Sequence, residues 1–148
     1  MNAKTFMAVM LALIAVFASA SAKEPKRPET YNYNRGIEAY YDDNLDQAAD
    51  YFSREISENP KNSGYANIWL AYIYYAQENY GWALNSATKA IKDIPSSDKL
   101  YKVLSLNERA LIYTALADTT KALNDLAKSI KIDPKHTETY NRRGQLLF

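Results

Sequence analysis

Three 17-residue stretches of the chain share one pattern, and each ends on a proline. They read NLDQAADYFSREISENP at 44–60, NYGWALNSATKAIKDIP at 79–95 and DTTKALNDLAKSIKIDP at 118–134. Each opens on a polar residue and carries an alanine and an isoleucine at fixed places; these columns are Asn44, Asn79 and Asp118, then Ala48, Ala83 and Ala122, then Ile56, Ile91 and Ile130. Self-similarity at a period of about 20–50 residues is the mark of repeat folds, so the pattern predicts one unit used three times.

A second helical run precedes each stretch and carries a small residue twelve positions before the alanine. This small column is Gly36, Ala71 and Ala110, and Gly144 continues it. Two antiparallel helices approach closely where neither has a bulky side chain at the crossing. A proline disfavours helical geometry in the residue before it, which ends each second helix. The sequence therefore predicts an all-α fold in which every unit is helix, polar turn, helix, proline.

The pattern is strongest in KALNDLAKSIKIDP at 121–134 and TYNRRGQLLF at 139–148. With these motifs the chain resembles the tetratricopeptide repeat, a helix-turn-helix unit of about 34 residues. The resemblance covers 29–148 and implies a right-handed α-solenoid of antiparallel hairpins, with repeats at about 29–62, 64–97 and 103–136 and a lone first helix at 137–148. Departures from the family are a usual alanine replaced by Glu55 or Ser129 and a usual leucine replaced by arginines expected to be structural, namely Arg35, Arg109 and Arg143.

The third repeat carries two further expectations. Between Pro95 and Pro134 the chain has about five residues more than the family's period, and 97–117 predicts one long helix with Ser97 as its cap. In the arginine-bearing variant of this repeat these positions face each other between adjacent hairpins, so Asp125 is expected to pair with at least one of the arginines at 109 and 143.

The first 22 residues resemble an export signal rather than part of the fold. Lys4 gives a positive start, residues 6–17 are apolar, and ASASA at 18–22 offers small residues for cleavage after Ala22, with Ala20 as the alternative. An uncleaved membrane anchor is the competing interpretation, because residues 5–22 carry no charge. Residues 23–28 are predicted to be a flexible leader. We therefore expect a periplasmic or secreted protein with no membrane span after cleavage.

The composition argues against several classes of function. Cysteine is absent, which excludes disulfides, thiol chemistry and a lipid-modified cysteine, and the single histidine, His136, is predicted to be a solvated loop residue. Four glycines form no phosphate-binding pattern. We expect no enzyme, cofactor or metal. Without residues 1–22 the chain loses one of its 18 basic residues, leaving 17 against 17 acidic ones, which argues against nucleic acid.

Tyrosine is unusually frequent in the first two repeats, where ten of the thirteen lie between Tyr31 and Tyr80. First helices line the concave face of a solenoid, and helical spacing gives the residues expected there. They are Tyr33, Ile37 and Tyr40 in the first repeat, Tyr65, Ile68, Tyr72 and Tyr75 in the second, and Leu104, Asn107, Leu111 and Thr114 in the third. We expect an exposed strip of Tyr33, Tyr40, Tyr65 and Tyr72, and a core position for Tyr74 and Tyr113. The alternative is that the strip itself belongs to the core.

These residues predict a non-enzymatic interaction scaffold that holds a peptide or amphipathic helix in a tyrosine-rich groove. Some members of the resembled family bind acidic chaperone tails through lysine, asparagine and arginine. None of the equivalent residues here clamps a carboxylate; they are Tyr33, Ile37, Trp69, Leu104 and Glu108. Two alternatives stay open: a glycan or small ligand stacked on the tyrosines, and a structural fragment of a larger assembly. Self-association through the C-terminal helix is a further expectation, because that helix ends on apolar residues.

Overall fold

The computed structural model describes residues 25–148, and the expected signal at 1–22 lies outside them. The described part of the chain is all-α. Its helices are α1 (Tyr31–Tyr41), α2 (Leu45–Glu58), α3 (Ser63–Ala76), α4 (Tyr80–Asp93), α5 (Lys99–Ala115), α6 (Thr119–Ile132) and α7 (Thr137–Leu147), with a short 3-10 turn at Pro60–Asn62. Each helix packs chiefly on the helix before it and the helix after it, so three hairpins and a final helix stack in chain order. No helix within 25–148 is long and apolar enough to cross a membrane.

The three hairpin turns have the same backbone. The second residue after each first helix has a left-handed conformation, with φ of 61° at Asp43, 60° at Glu78 and 59° at Ala117. The next amide donates to a carbonyl five residues back, as in Asn44 N to Ala39 O at 2.9 Å, which closes a Schellman motif. That next residue also begins the second helix, so one polar position serves both ends of the turn. Because one residue both closes the turn and starts the second helix, each repeated stretch begins with a polar residue.

The small column allows the two helices of a hairpin to approach. A Cβ atom added to Gly36 would lie 2.8 Å from the ring of Phe52 on α2, so a side chain there would collide with a buried ring. In the other hairpins the small residues pack in the core; the two groups are Ala71 with Ala83 and Ala87, and Ala110 with Ala122 and Leu126. The predicted close approach of paired helices is therefore confirmed.

The two departures from the usual alanine are buried polar residues with specific partners. Glu55 is fully buried, and its carboxylate accepts from Asn62 Nδ2 at 2.6 Å and Asn59 Nδ2 at 3.3 Å. The hydroxyl of Ser129 lies 3.3 Å from that of Thr139 on α7. Both side chains therefore contact the segment that follows their own helix.

Thr139 is the centre of a buried polar network between the third hairpin and α7. Its hydroxyl exchanges hydrogen bonds with the amide of Asn107, at 3.0 and 3.2 Å. His136 Nδ1 lies 3.1 Å from the same hydroxyl, and the His136 side chain is buried. The prediction of a solvated histidine is wrong, because the ring turns inward to this network rather than out to solvent.

The predicted ion pair of Asp125 is confirmed. Arg109 on α5 donates from Nε to Asp125 Oδ2 at 2.7 Å and from Nη2 to Oδ1 at 2.8 Å, so the pair joins the two helices of one hairpin rather than adjacent hairpins as expected. At the matching places of the first hairpin, Arg35 lies over the ring of Tyr51. Arg143 lies over Tyr140. The arginines in the leucine position thus make structural contacts with whatever side chain faces them.

Candidate functional site

The first helices α1, α3 and α5 carry the residues expected to line the groove. The four tyrosines expected to be exposed there are buried: Tyr33, Tyr40 and Tyr65 are each 3% exposed and Tyr72 is 6% exposed. Ile68, Leu104 and Asn107 are buried as well, whereas Ile37, Tyr75 and Leu111 are half-buried and Thr114 is exposed. The expectation of an exposed tyrosine strip is therefore wrong.

Trp69 explains why the rings are buried. Its Nε1 donates to the Tyr33 hydroxyl at 2.9 Å, and it stacks on Phe52 with the ring centroids 5.7 Å apart. Tyr40 and Tyr72 meet it edge-on, at 5.3 and 6.1 Å between centroids. Large rings on neighbouring first helices therefore interdigitate and fill the space that smaller side chains would leave as a groove.

Tyr72, expected to be exposed, is more deeply buried than Tyr74, which packs against the core from its edge. Tyr74, expected in the core, is half-buried and lies beside the exposed ring of Trp82, with centroids 6.2 Å apart. Tyr113, the other expected core ring, is also half-buried and lies near the Arg109 and Lys121 cations. The aromatic side chains of the inner face are therefore more deeply buried than Tyr74 and Tyr113.

Glu108 is a buried carboxyl next to this aromatic cluster. Burial raises the pKa of Glu108 to about 8, while Arg142 lowers this pKa and Glu138 raises it. Burial also raises the pKa of Tyr72 and of Tyr40, and the Glu108 charge raises both further. A group that is protonated at neutral pH therefore lies beneath the inner face.

The accessible part of the inner face lies toward α7. Arg142 on α7 makes an ion pair with Glu138, at 2.6 Å between Nη2 and Oε1. With Leu111, Thr114 and Gln145 it lines a cavity of about 110 Å³ between α5, α6 and α7. The half-buried Tyr75 lies close enough to Arg142 for that cation to lower its pKa, although burial and the Glu108 charge raise it overall.

At the opposite end of the first helices, Asp98 is bonded to a residue of the leader. Arg27 donates from Nε to Asp98 Oδ2 at 2.9 Å and from Nη2 to Oδ1 at 3.1 Å. Asp98 also accepts from the Tyr65 hydroxyl and caps α5 by accepting from the amide of Tyr101. The expected cap Ser97 is therefore replaced by Asp98, and within the predicted leader Arg27 is bound to the domain.

The sequence did not predict that Arg27, Asp98 and Tyr101 form one cluster. Asp98 and Arg27 are 71 residues apart, and neither lies in a repeated column. The one available signal is the basic run KEPKR at 23–27, which lies within the predicted leader. Among residues 25–148, no group of three or more histidine, aspartate or glutamate side chains is placed to hold a metal ion.

Comparison with known proteins agrees with the helical repeat. The chain is 29% identical to a DnaJ homolog subfamily C member 7 homolog of Dictyostelium discoideum over 83% of the chain and 25% of that protein. It is 28% identical to Hsp70-Hsp90 organizing protein 3 of Arabidopsis thaliana over 67% of the chain and 16% of that protein. The chain thus spans a quarter or less of these relatives. No family model matches it.

Two solved structures share the fold. The first tetratricopeptide repeat domain of Spaghetti (RPAP3), bound to the HSP90 peptide SRMEEVD, superposes with a TM-score of 0.70 and 16% identity, covering 78% of this chain and 86% of that one. The second such domain of human RPAP3, in complex with the HSP70 peptide SGPTIEEVD, gives a TM-score of 0.70 and 17% identity over 79% and 92%. From its repeated columns, its stacked hairpins and these likenesses, the described part of the chain has the fold of a tetratricopeptide repeat domain, with about three repeats and a final helix.

Proposed function

We propose that this domain binds a peptide segment of a partner protein along the inner face of its first helices. The observation that carries the proposal is that both solved domains of the same fold hold a peptide. A TM-score of 0.70 over more than three quarters of this chain supports the use of an equivalent face here. Identities of 16 and 17% leave the choice of peptide to this chain's own side chains.

An acidic tail ending in EEVD is the peptide that the two neighbours suggest. The inner face of this chain has a different chemistry, because the five positions of the family's clamp hold buried or half-buried aromatic, aliphatic and carboxyl groups. Arg142 is a cation of this face, but Glu138 already neutralises it at 2.6 Å. We therefore propose an apolar or aromatic segment as the ligand, contacting the half-buried Ile37, Tyr75 and Leu111.

Fluorescence anisotropy tests both ligand classes. One probe is labelled SRMEEVD, and the other is a peptide selected by phage display against the immobilised domain. We expect the selected peptide to bind, and Leu111→Ala to weaken it at least 10-fold, about 1.4 kcal/mol. Trp82→Ala is the matched control, since Trp82 is exposed outside the inner face. Micromolar binding of SRMEEVD that Leu111→Ala leaves unchanged would replace the apolar ligand with an acidic tail, and failure of both probes would refute peptide binding.

Burial of the four tyrosines removes the basis for the glycan alternative, because stacking on a sugar needs exposed ring faces. Self-association through α7 stays a proposal. Its support is the exposure of Leu147, Phe148 and, in part, Tyr140. Sedimentation equilibrium of residues 23–148 would show a dimer mass if the proposal holds and a monomer mass if it fails.

We also propose that the protein is exported, on the support of its first 22 residues: a lysine, an uncharged apolar run and a small-residue stretch. Export would place the domain in the periplasm or the medium. The partner would then be a protein of the same compartment.

A further inference from the structure

Arg27 binds a site that the rest of the domain builds. Arg27 lies in the non-helical segment before α1, whereas Asp98 begins α5 in the third hairpin. Both oxygens of Asp98 receive a hydrogen bond from one guanidinium group, at 2.9 and 3.1 Å. The guanidinium carbon also lies 4.6 Å from the centroid of the Tyr101 ring. The side chain is thus held by a two-point ion pair on one side and an aromatic face on the other.

The site owes little of its geometry to the leader. The Asp98 side chain is 1% exposed, and it is oriented by the Tyr65 hydroxyl at 2.9 Å and the Tyr101 amide at 3.2 Å. The rings of Tyr65 and Tyr101 meet edge-on at 5.1 Å, which fixes the aromatic wall. Three hydrogen-bonding and packing contacts from α3 and α5 therefore position the carboxylate and the ring.

This combination selects a guanidinium over an ammonium group. A carboxylate presenting both oxygens matches the planar fork of arginine, and a ring face attracts the same flat cation. A lysine would offer one point charge and no second parallel hydrogen bond. The pocket is therefore specific for arginine rather than for positive charge in general.

The leader around Arg27 is loosely packed. Lys26 and Glu29 on either side are exposed to solvent. A cleft of about 460 Å³ opens between the leader and the ends of the hairpins, with Asn62, Tyr65 and Pro95 on its far wall. Release of the leader would break the ion pair of Arg27 together with the contacts of the half-buried Pro25 and Pro28.

We infer that Asp98, Tyr65 and Tyr101 form an arginine-binding pocket that Arg27 fills in cis, and that an arginine of a partner peptide takes its place. The inference rests on the proposed peptide-binding function for the source of that arginine, but the pocket itself stands on its own contacts. A tethered side chain competes at an effective concentration of about millimolar. Arg27 therefore acts as a built-in competitor that weakens binding of any partner arginine.

The test uses a short probe, Ac-Ala-Arg-Ala-NH2, titrated into residues 23–148 carrying Arg27→Ala. We expect the Asp98 and Tyr101 amide signals in nitrogen–proton NMR spectra to shift and saturate, with at least 10-fold weaker binding to the unaltered domain. The same peptide with citrulline in place of arginine should give no saturation, since it keeps the shape and loses the charge. Lys26→Ala is the matched control and should bind as weakly as the unaltered domain.

Two results would overturn the inference: equal binding of the arginine and citrulline peptides, or equal binding of the arginine peptide to the altered and unaltered domains. If Arg27→Ala does not fold, Arg27→Lys keeps the charge and removes the fork, and the same 10-fold comparison applies to it. Adding Asp98→Asn, whose side-chain oxygen still caps α5, should abolish probe binding. The probe is too short to span the inner face. Its binding therefore tests the arginine pocket alone, independently of the peptides that test the proposed function.

Discussion

The carboxylate of Asp125 is 2% exposed and accepts hydrogen bonds from Nε and Nη2 of Arg109. Removing one partner of a buried pair leaves the other charge without compensation. We therefore expect Asp125→Ala to lower the free energy of unfolding by about 3 kcal/mol, measured by urea denaturation.

The control for that substitution is Asp50→Ala. Asp50 pairs with Arg54 one turn away at 2.8 Å, but both side chains are more than half exposed. Such surface pairs contribute below about 1 kcal/mol because water screens them. Equal losses from the two substitutions would show that burial does not set the strength of the Asp125 pair.

Glu108 gives the domain a dependence of stability on pH. Its pKa in the folded state is raised to about 8 from an ordinary value of 4.5, because burial disfavours the charged form. Between these values the folded state binds a proton that the unfolded state has released, so this contribution is complete below pH 4.5 and is lost as pH rises toward 8. Stability should fall by at most about 1.4 kcal/mol per pH unit in that window.

Thermal melts at pH 5, 6, 7 and 8 measure this effect, with Glu108→Gln as the control. Glutamine keeps the shape of the protonated carboxyl and cannot ionise, so the difference between the two melting curves isolates this group from Glu138 and the other titrating residues. We expect the difference to grow with pH in favour of Glu108→Gln. A difference that stays constant from pH 5 to 8 would contradict the raised pKa.

Single residues also show what the sequence could and could not predict. The pair Arg109–Asp125 was predictable from its repeat positions, although it forms within one hairpin rather than between adjacent ones. Helical spacing put Tyr33, Tyr40, Tyr65 and Tyr72 on one face correctly, but it does not report how much space that face encloses. Their burial depends on the fit of Trp69 between neighbouring helices, a tertiary property. Arg27 and Asp98 meet across 71 residues with no repeated signal.

At the scale of elements, the hairpin turns place ordinary residues in a backbone conformation that favours glycine. Ala117 has φ of 59° and is exposed, so its side chain strains the turn and contributes no buried contact. Ala117→Gly should therefore raise the free energy of unfolding by about 1 kcal/mol, measured by urea denaturation.

Ala127→Gly provides the opposite case. Ala127 is exposed within α6, where glycine costs about 0.5–1 kcal/mol because it loses more backbone freedom on folding. Each substitution removes one exposed methyl group, and the resulting changes in the free energy of unfolding should have opposite signs. A loss of stability from both would mean that the turn is not strained.

The helices themselves were largely predictable, because the repeated columns mark where each hairpin turns and ends. The start of α5 was less so. Ser97 and Asp98 are both good caps by residue type, and the structure uses Asp98 since its carboxylate meets Arg27 and Tyr65 as well as the Tyr101 amide. A tertiary partner therefore decided a boundary that local sequence left ambiguous.

At the scale of the whole molecule, the proposed export predicts a shortened chain. Cleavage after Ala22 follows from the positive start, the apolar run and the small residues before that point. N-terminal sequencing of protein from the periplasm or medium should begin KEPKRP. Recovery of Met1 from a membrane fraction would instead support the uncleaved anchor.

The junctions between successive units differ in chemistry. The first and second hairpins meet through rings, with Phe52 stacked on Trp69, whereas the third meets α7 through the hydroxyl of Thr139 and its bonds to Asn107 and Ser129. An apolar residue in place of Thr139 would leave the buried Asn107 and Ser129 side chains without this partner, at about 1–3 kcal/mol each. Duplication or loss of a whole unit would therefore bring an aromatic surface against a polar one. The order of the hairpins is thus specified by their contact surfaces as well as by the fold of each hairpin.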